Sequence, residues 1–318
     1  MIQQDKLTTK LNNLTIDADA AGQRIDNFLF NKLKDVPKSR IYRMLRSGEV
    51  RVNKGRVGPS YKLQPNDLIR VPPFWSKVSE EKSKPGSNLI NLLLDSIIFE
   101  DDKILVVNKP TGIASHGGSG INFGVIEILR AARPDIRDLE LVHRLDRDTS
   151  GCIILAKKRS ALRQLHELIR SGGIFKKYLL LVRGQWEWEN RERIVDAPLL
   201  KNQLSSGERI VTVTQAGKAS VTIFRPARTG AEMSLLEAEL KTGRTHQIRV
   251  HATHICYPIA GDEKYGDKEF NRKMSKLGLK RLFLHAKEMR FAWPDGAKIN
   301  LVAPLDSQLE KIIKQFSH

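Results

Sequence analysis

The sequence predicts an α+β protein: a small basic α/β unit, then a larger unit built on a mixed, largely antiparallel β-sheet with flanking helices. Three observations predict it. A stretch of charged and small residues with Pro85 and Gly86, Ser76–Ser87, separates two differently patterned parts of the chain. Before it, two helical patterns precede short alternating strands; after it, many short strands are separated by only occasional helices. The 318 residues also suffice for two units, at roughly 100–200 residues each.

Residues 1–17 read as a flexible polar N-terminus, 18–75 as the small unit, 76–88 as a linker and 89–318 as the large unit. Gln23–Lys34 reads as a helix with Ile25, Phe28 and Leu29 on its apolar side. A second helix begins near Pro37-Lys38-Ser39 and ends at Gly48, a residue suited to a left-handed C-terminal cap. Val50 and Val52 alternate with Arg51 as in a short strand, Asn53-Lys54-Gly55 turns, and Leu68–Val71 closes the unit.

In the large unit the candidate strands are Ile104–Val107, Gly151–Ala156, Tyr178–Val182, Arg209–Thr214, Ala219–Phe224, Leu235–Leu240, Gln247–Val250, Leu282–His285 and Lys298–Val302. The clearest helix is Ser160–Arg170, with Leu162, Leu165, Leu168 and Ile169 on one face, Ser160 as its cap and Gly172 at its end.

Composition narrows the partners. Against 36 Asp and Glu stand 54 Lys and Arg, a net charge of +18. Such a surplus creates a positive field whose natural partner is a polyanion, nucleic acid first and an anionic membrane surface second. No run approaches about 18 consecutive apolar residues, so no membrane-spanning helix is expected. The polar segment Met1–Asp17 lacks the apolar stretch of a secretory signal, so the reading is cytoplasmic. Cys152 and Cys256 sit beside apolar residues outside any Cys-x-x-Cys pair, and read as two buried structural thiols.

In the second helix Arg40, Arg43 and Arg46 recur at three-residue spacing opposite Ile41, Met44 and Leu45. Solvated helix faces usually mix charge signs, but residues 38–46 carry four cations, including Lys38, and no anion. With Arg51 and Lys54 in the adjoining hairpin, the pattern reads as a phosphate-backbone surface. Residues 22–71, from Arg24-Ile25-Asp26-Asn27-Phe28-Leu29 to Gly48-Glu49-Val50-Arg51-Val52-Asn53, resemble the small RNA-binding domain of ribosomal protein S4.

The densest chemical signal is Leu141–Gly151, LVHRLDRDTSG. Asp146, flanked by Arg144 and Arg147, is a carboxylate that neighbouring cations keep ionised, as a nucleophile or base requires. A loop stabilised by its own ion pairs accounts for the same residues. A second run is Lys241–His251, KTGRTHQIRVH. If Gln247–Val250 is a strand, Gln247 and Arg249 share one face, and an arginine there can meet a buried carboxylate with two hydrogen bonds. His246 and His251 lie five residues apart, which suits a metal neither on a helix nor on a strand. Asn108–Gly112 with His116–Gly120 is a turn-rich loop able to approach a phosphate, without Walker or dinucleotide spacing. In Lys176–Gly184, Tyr178 reads as core or as a stacking face for a base.

Together and in this order, these runs resemble the RluA-type pseudouridine synthases, from Gly22 to the C-terminal helix. HRLDRDTSG and TGRTHQIRVH carry most of the likeness. His116–Gly120, Leu200–Asn202 with Ser206–Arg209, and Lys264–Asn271 are similar to a branch acting on large-subunit ribosomal RNA.

The resemblance implies isomerisation of uridines in that RNA, with no cofactor and no metal; no membrane partner is expected, and a monomeric chain is the default. It implies that Asp146 is the catalytic carboxylate, Arg249 its buried ion-pair partner and Tyr178 the ring against the uracil. Arg144 would fill the gap left by a flipped uridine, and Leu284 would close the pocket floor. Two rival readings differ in class. One is a hydrolase using His143, Asp146 and Ser150, although the chain has no Gly-x-Ser-x-Gly elbow. The other is a non-catalytic RNA-binding or ribosome-assembly protein.

Overall fold

The computed structural model describes residues 13–18, 20–33, 36–73, 85–118, 122–187, 192–203 and 209–315. Most of the expected linker lies outside them. The chain forms two compact units, residues 1–84 and 85–318.

In the small unit, helices Ile25–Lys32 and Lys38–Ser47 cover a four-stranded sheet. Ile25, Phe28, Leu29, Ile41, Met44 and Leu45 bury their side chains against Val50, Val52, Leu63 and Ile69. Gly48 adopts the left-handed conformation expected of a helix-ending glycine (φ 74°), and a Cβ there would collide with the Arg56 side chain. Asn53 and Lys54 both have positive φ, the geometry of the tight turn that joins twisted antiparallel strands. The ordered unit extends further upstream than Ala18: Asn13–Thr15 pairs antiparallel with Leu68–Arg70, and Ile16 is buried.

The large unit is built on a ten-stranded mixed sheet. Its centre runs Met233–Leu240, Phe175–Arg183, Leu284–Ala292, Ser150–Ala156 and Ile104–Lys109. The Leu284–Ala292 and Ser150–Ala156 pair is parallel and the other pairings are antiparallel. Ser150–Ala156 is buried on both faces, which explains its unbroken apolar run. Gly151 (φ 108°) is required where this strand begins, because a Cβ there would lie 2.3 Å from the Ala286 carbonyl oxygen. Among the described residues no helix is long and apolar enough to cross a membrane.

Three expectations are corrected. Gln247–Val250 is not a strand but the first half of helix Gln247–His254. Its Gln-Ile-Arg-Val alternation misleads because all four side chains are buried, so polarity carries no information about facing. Ser160 is not a cap: helix Arg159–Arg170 starts one residue earlier, after Lys158, and no side chain caps it. Cys152 is buried as expected, but Cys256 is exposed.

Candidate active site

The 143–149 loop feeds directly into the buried strand Ser150–Ala156, so its position is set by the centre of the sheet. A second loop clamps it. Ser115 Oγ donates to the Leu145 carbonyl (2.7 Å) and accepts from the Leu145 N–H (2.9 Å), while Thr111 Oγ1 donates to the Asp148 carbonyl (2.9 Å). Lys109 is fully buried and donates to the carbonyls of Pro110, Ile113 and Arg147 at 2.8–3.0 Å. Burial pulls its ammonium down to about 7, and the three carbonyls occupy its three hydrogens. The Asn108–Gly112 run, legible as a phosphate loop, therefore braces the Asp146 loop instead.

Asp146 lies half-buried on the wall of a cleft of about 1130 Å³. Tyr178, Leu284, Arg144 and Arg249 line the same cleft, so the fold brings these five expected residues together. Among the lining residues seven are Lys or Arg, and Asp146 is the one carboxylate. Such a lining suits a polyanion.

The basic groups nearest Asp146 are not its chain neighbours. Arg147 pairs with Asp148, and Arg144 is exposed with no ion pair among the described residues. The neighbours are Arg249 Nη1 at 3.7 Å and His246 Nε2 at 3.9 Å from Oδ2, both delivered by the start of helix Gln247–His254. Arg249 is itself fixed by Asp262 through two 2.7 Å bonds, from Nε and Nη2. Burial pushes the Asp262 carboxyl up, but the Arg249 fork overrides it and holds the carboxyl below the usual range. The Arg249 guanidinium also stacks 5.0 Å from the Tyr265 ring centre. Burial, followed by the Asp146 charge, pushes the Tyr178 phenol up, so the ring stays neutral.

The histidines have other duties. Ile154 N–H donates to His143 Nε2 (3.1 Å), and burial pulls that ring down to about 4. Ser150 Oγ bonds His285 Nδ1 (2.8 Å) rather than His143, so no Ser-His-Asp relay forms from the 143–150 loop. His251 bonds Thr222 and the Ala197 carbonyl, and His246 bonds Tyr265, so the two do not converge on a common point.

Comparison with known proteins bears on this geometry. The RNA pseudouridylate synthase family model matches residues 103–254, and the S4 domain model matches residues 23–69. The chain is 58% identical over 304 residues to ribosomal large subunit pseudouridine synthase C of Pasteurella multocida, covering 94% of this chain and 92% of that one. It is 53% identical over 312 residues to the protein of that name from Escherichia coli K12, covering 97% of each. The chain belongs to the pseudouridine synthase family. It is therefore an isomerase with an S4 domain preceding the synthase domain. A solved human structure, RNA Pseudouridylate Synthase Domain Containing 4, shares the synthase fold: TM-score 0.60, 25% identity, covering 72% of this chain and 96% of that one.

Within this synthase, the small unit presents its predicted cations unevenly. Lys38, Arg43, Arg46 and Lys54 are exposed, whereas Arg40 is held by Glu49 through two bonds of 3.0 and 2.6 Å. Arg51 bonds the carbonyls of Gly48 and Lys54. Sequence reasoning missed Asp262 and Tyr265 beside this cleft. The signal for Asp262 was its bracketing by Gly261 and Gly266, whose Cβ positions are blocked by the Arg281 and Asp262 carbonyl oxygens at 2.0 and 2.1 Å. Paired glycines of this kind mark a tight turn.

Proposed function

We propose that this synthase converts uridines of large-subunit ribosomal RNA to pseudouridine, at the positions its type-C relatives modify, with Asp146 as the catalytic carboxylate. The observation that carries the reading is one carboxylate, set among Arg249, His246 and the neutral Tyr178 ring, in a cleft whose lining also holds seven Lys or Arg and no second carboxylate. The reaction breaks the N-glycosidic bond, turns the uracil and rejoins it to the sugar through C5, so the C5 proton ends on N1. Nothing is added or oxidised, and the protein's task is to hold an ionised group against the sugar and base while excluding water.

Tyr178 supplies the face on which the uracil lies, and Leu284, buried beside it, closes the floor. Arg144, exposed and unpaired among the described residues, takes the place vacated in the RNA stack. The cations of the small unit hold the RNA backbone. A ribosomal substrate assigns the enzyme to the cytoplasm.

The test maps pseudouridines in large-subunit RNA from cells carrying the wild-type gene, Asp146→Asn or no copy. The variant is expected to lose the same pseudouridines as the deletion while the purified protein keeps its RNA affinity within about twofold. Identical maps in all three strains would favour a non-catalytic RNA-binding role, and full activity in the variant removes Asp146 from the chemistry.

A further inference from the structure

His246 is the one residue beside Asp146 whose backbone is held in a conformation that side chains rarely adopt. At φ 53° and ψ 20° it occupies the left-handed region, immediately before helix Gln247–His254. That conformation costs on the order of 1 kcal/mol or more for a non-glycine residue and persists where surrounding contacts fix it. Here the contacts are specific. His246 Nδ1 lies 2.8 Å from Tyr265 Oη, and the opposite ring edge places Nε2 3.9 Å from Asp146 Oδ2. Tyr265 is placed by its own N–H, which donates to Asp262 Oδ1 (3.0 Å), and by the Val211 N–H, which donates to its hydroxyl (3.0 Å).

These bonds fix where the imidazole proton sits. The phenol oxygen already accepts from Val211, and among the described residues its own hydrogen has His246 Nδ1 as its acceptor. A neutral imidazole that accepts at Nδ1 carries its hydrogen on Nε2, the edge that faces Asp146. Burial lowers the ring's basicity, and the nearby cations Arg249 and Lys264 add to that against the charges of Asp146 and Asp262, which favours the neutral form.

We propose that His246 is a positioning residue for Asp146, locked by the Tyr265 hydroxyl as the tautomer that offers Nε2–H to the carboxylate. This rests on the reading of Asp146 as the reacting group. The carboxylate then has two donors, Arg249 Nη1 and His246 Nε2, and Tyr265 organises both: its hydroxyl sets the histidine and its ring face lies under the arginine. The separation of 3.9 Å is longer than a hydrogen bond, as donor contacts in unliganded sites often are, and the proposal requires it to shorten when substrate is bound.

The experiment uses the full chain, a large-subunit RNA fragment tritiated at uridine C5, and Tyr265→Phe, His246→Asn and the double variant. Asparagine tolerates the left-handed backbone but cannot reach the carboxylate. Each single change is expected to slow single-turnover tritium release by about tenfold, the worth of one hydrogen bond, with RNA affinity within twofold. The double variant is expected to be no slower than His246→Asn alone. Imidazole nitrogen NMR should report Nε2–H in the wild type and a mixture of tautomers in Tyr265→Phe. Additive losses, or an Nδ1–H ring in the wild type, would overturn the proposal. The wild-type spectrum decides the tautomer even if a variant fails to fold. Asp146→Asn, run alongside, separates the two ideas: activity in that variant overturns the reading of the site itself, whereas its inactivity with additive losses overturns only the role of His246.

Discussion

Asp262 and Asp146 share one guanidinium: Arg249 gives Nε and Nη2 to Asp262 at 2.7 Å each and leaves Nη1 3.7 Å from Asp146. The tight pair is structural and the loose one faces the cleft. Removing Asp262 leaves a cation nearly buried without its main partner, so Asp262→Ala should destabilise the synthase unit by about 3–5 kcal/mol. Urea denaturation of the full chain checks this, and a loss below about 1 kcal/mol would show that the fork contributes little.

Lys109→Met removes three hydrogen bonds and, among the described residues, strands the carbonyls of Pro110 and Ile113, while the Arg147 carbonyl keeps the Gly112 N–H at 2.9 Å. At about 1 kcal/mol or more for each of these two groups, the loss should reach roughly 2 kcal/mol. Because two of the bonded segments frame Asp146, hydrogen exchange at Gly112 and Leu145 should accelerate as well. Unchanged protection at both amides would mean that the lysine does not brace the loop.

Acid should weaken the fold before carboxylates titrate. His143 and His285 are both pulled down to about 4 by burial, from an ordinary 6.5. Above pH 6.5 neither the folded nor the unfolded form binds a proton at these rings, and their contribution is complete. Between 6.5 and 4 the unfolded chain takes up protons that the folded chain refuses, so stability falls as pH falls. The full effect is on the order of 3 kcal/mol per ring. Urea midpoints at pH 7, 6 and 5 should decline steadily, and His285→Gln should flatten part of that slope. A midpoint constant over this range would rule out two neutral rings.

The small unit offers a sharper contrast. Arg43→Ala with Arg46→Ala should lower RNA affinity and reduce the salt slope by up to about 1.8, at roughly 0.9 for each phosphate no longer neutralised. Arg40→Ala should have a smaller effect on the slope, because that guanidinium is already committed to Glu49. Filter binding at several salt concentrations distinguishes them, and equal slopes in the two variants would contradict the assignment.

The large features were legible because their signals are local. The Lys38–Ser47 helix declares itself by its arginine spacing and its terminal glycine, and Ser150–Ala156 by its apolar run between turn residues. Arg249 is expected on a strand and stands on a helix: a buried helix and a buried strand leave similar polarity patterns when every side chain is enclosed. Asp262 is legible only as part of a glycine-bracketed turn; its pairing is not, because it depends on a partner 13 residues away whose direction only the fold determines. Lys109 was misread for the opposite reason. A lysine beside Pro and Gly suggests a phosphate loop, and only burial reveals that its three hydrogens are spent on carbonyls.

The bracing of the 143–149 loop has a consequence for choice of target. Tied through Leu145, Arg147 and Asp148 to a neighbouring loop, the segment has little freedom to reach toward a nucleotide. On the proposed reading, the motion that brings sugar and carboxylate together must come from the RNA. Positions whose bases leave their stack at low cost are then modified soonest, and a transcript that matures into tighter structure closes the window on its own uridines.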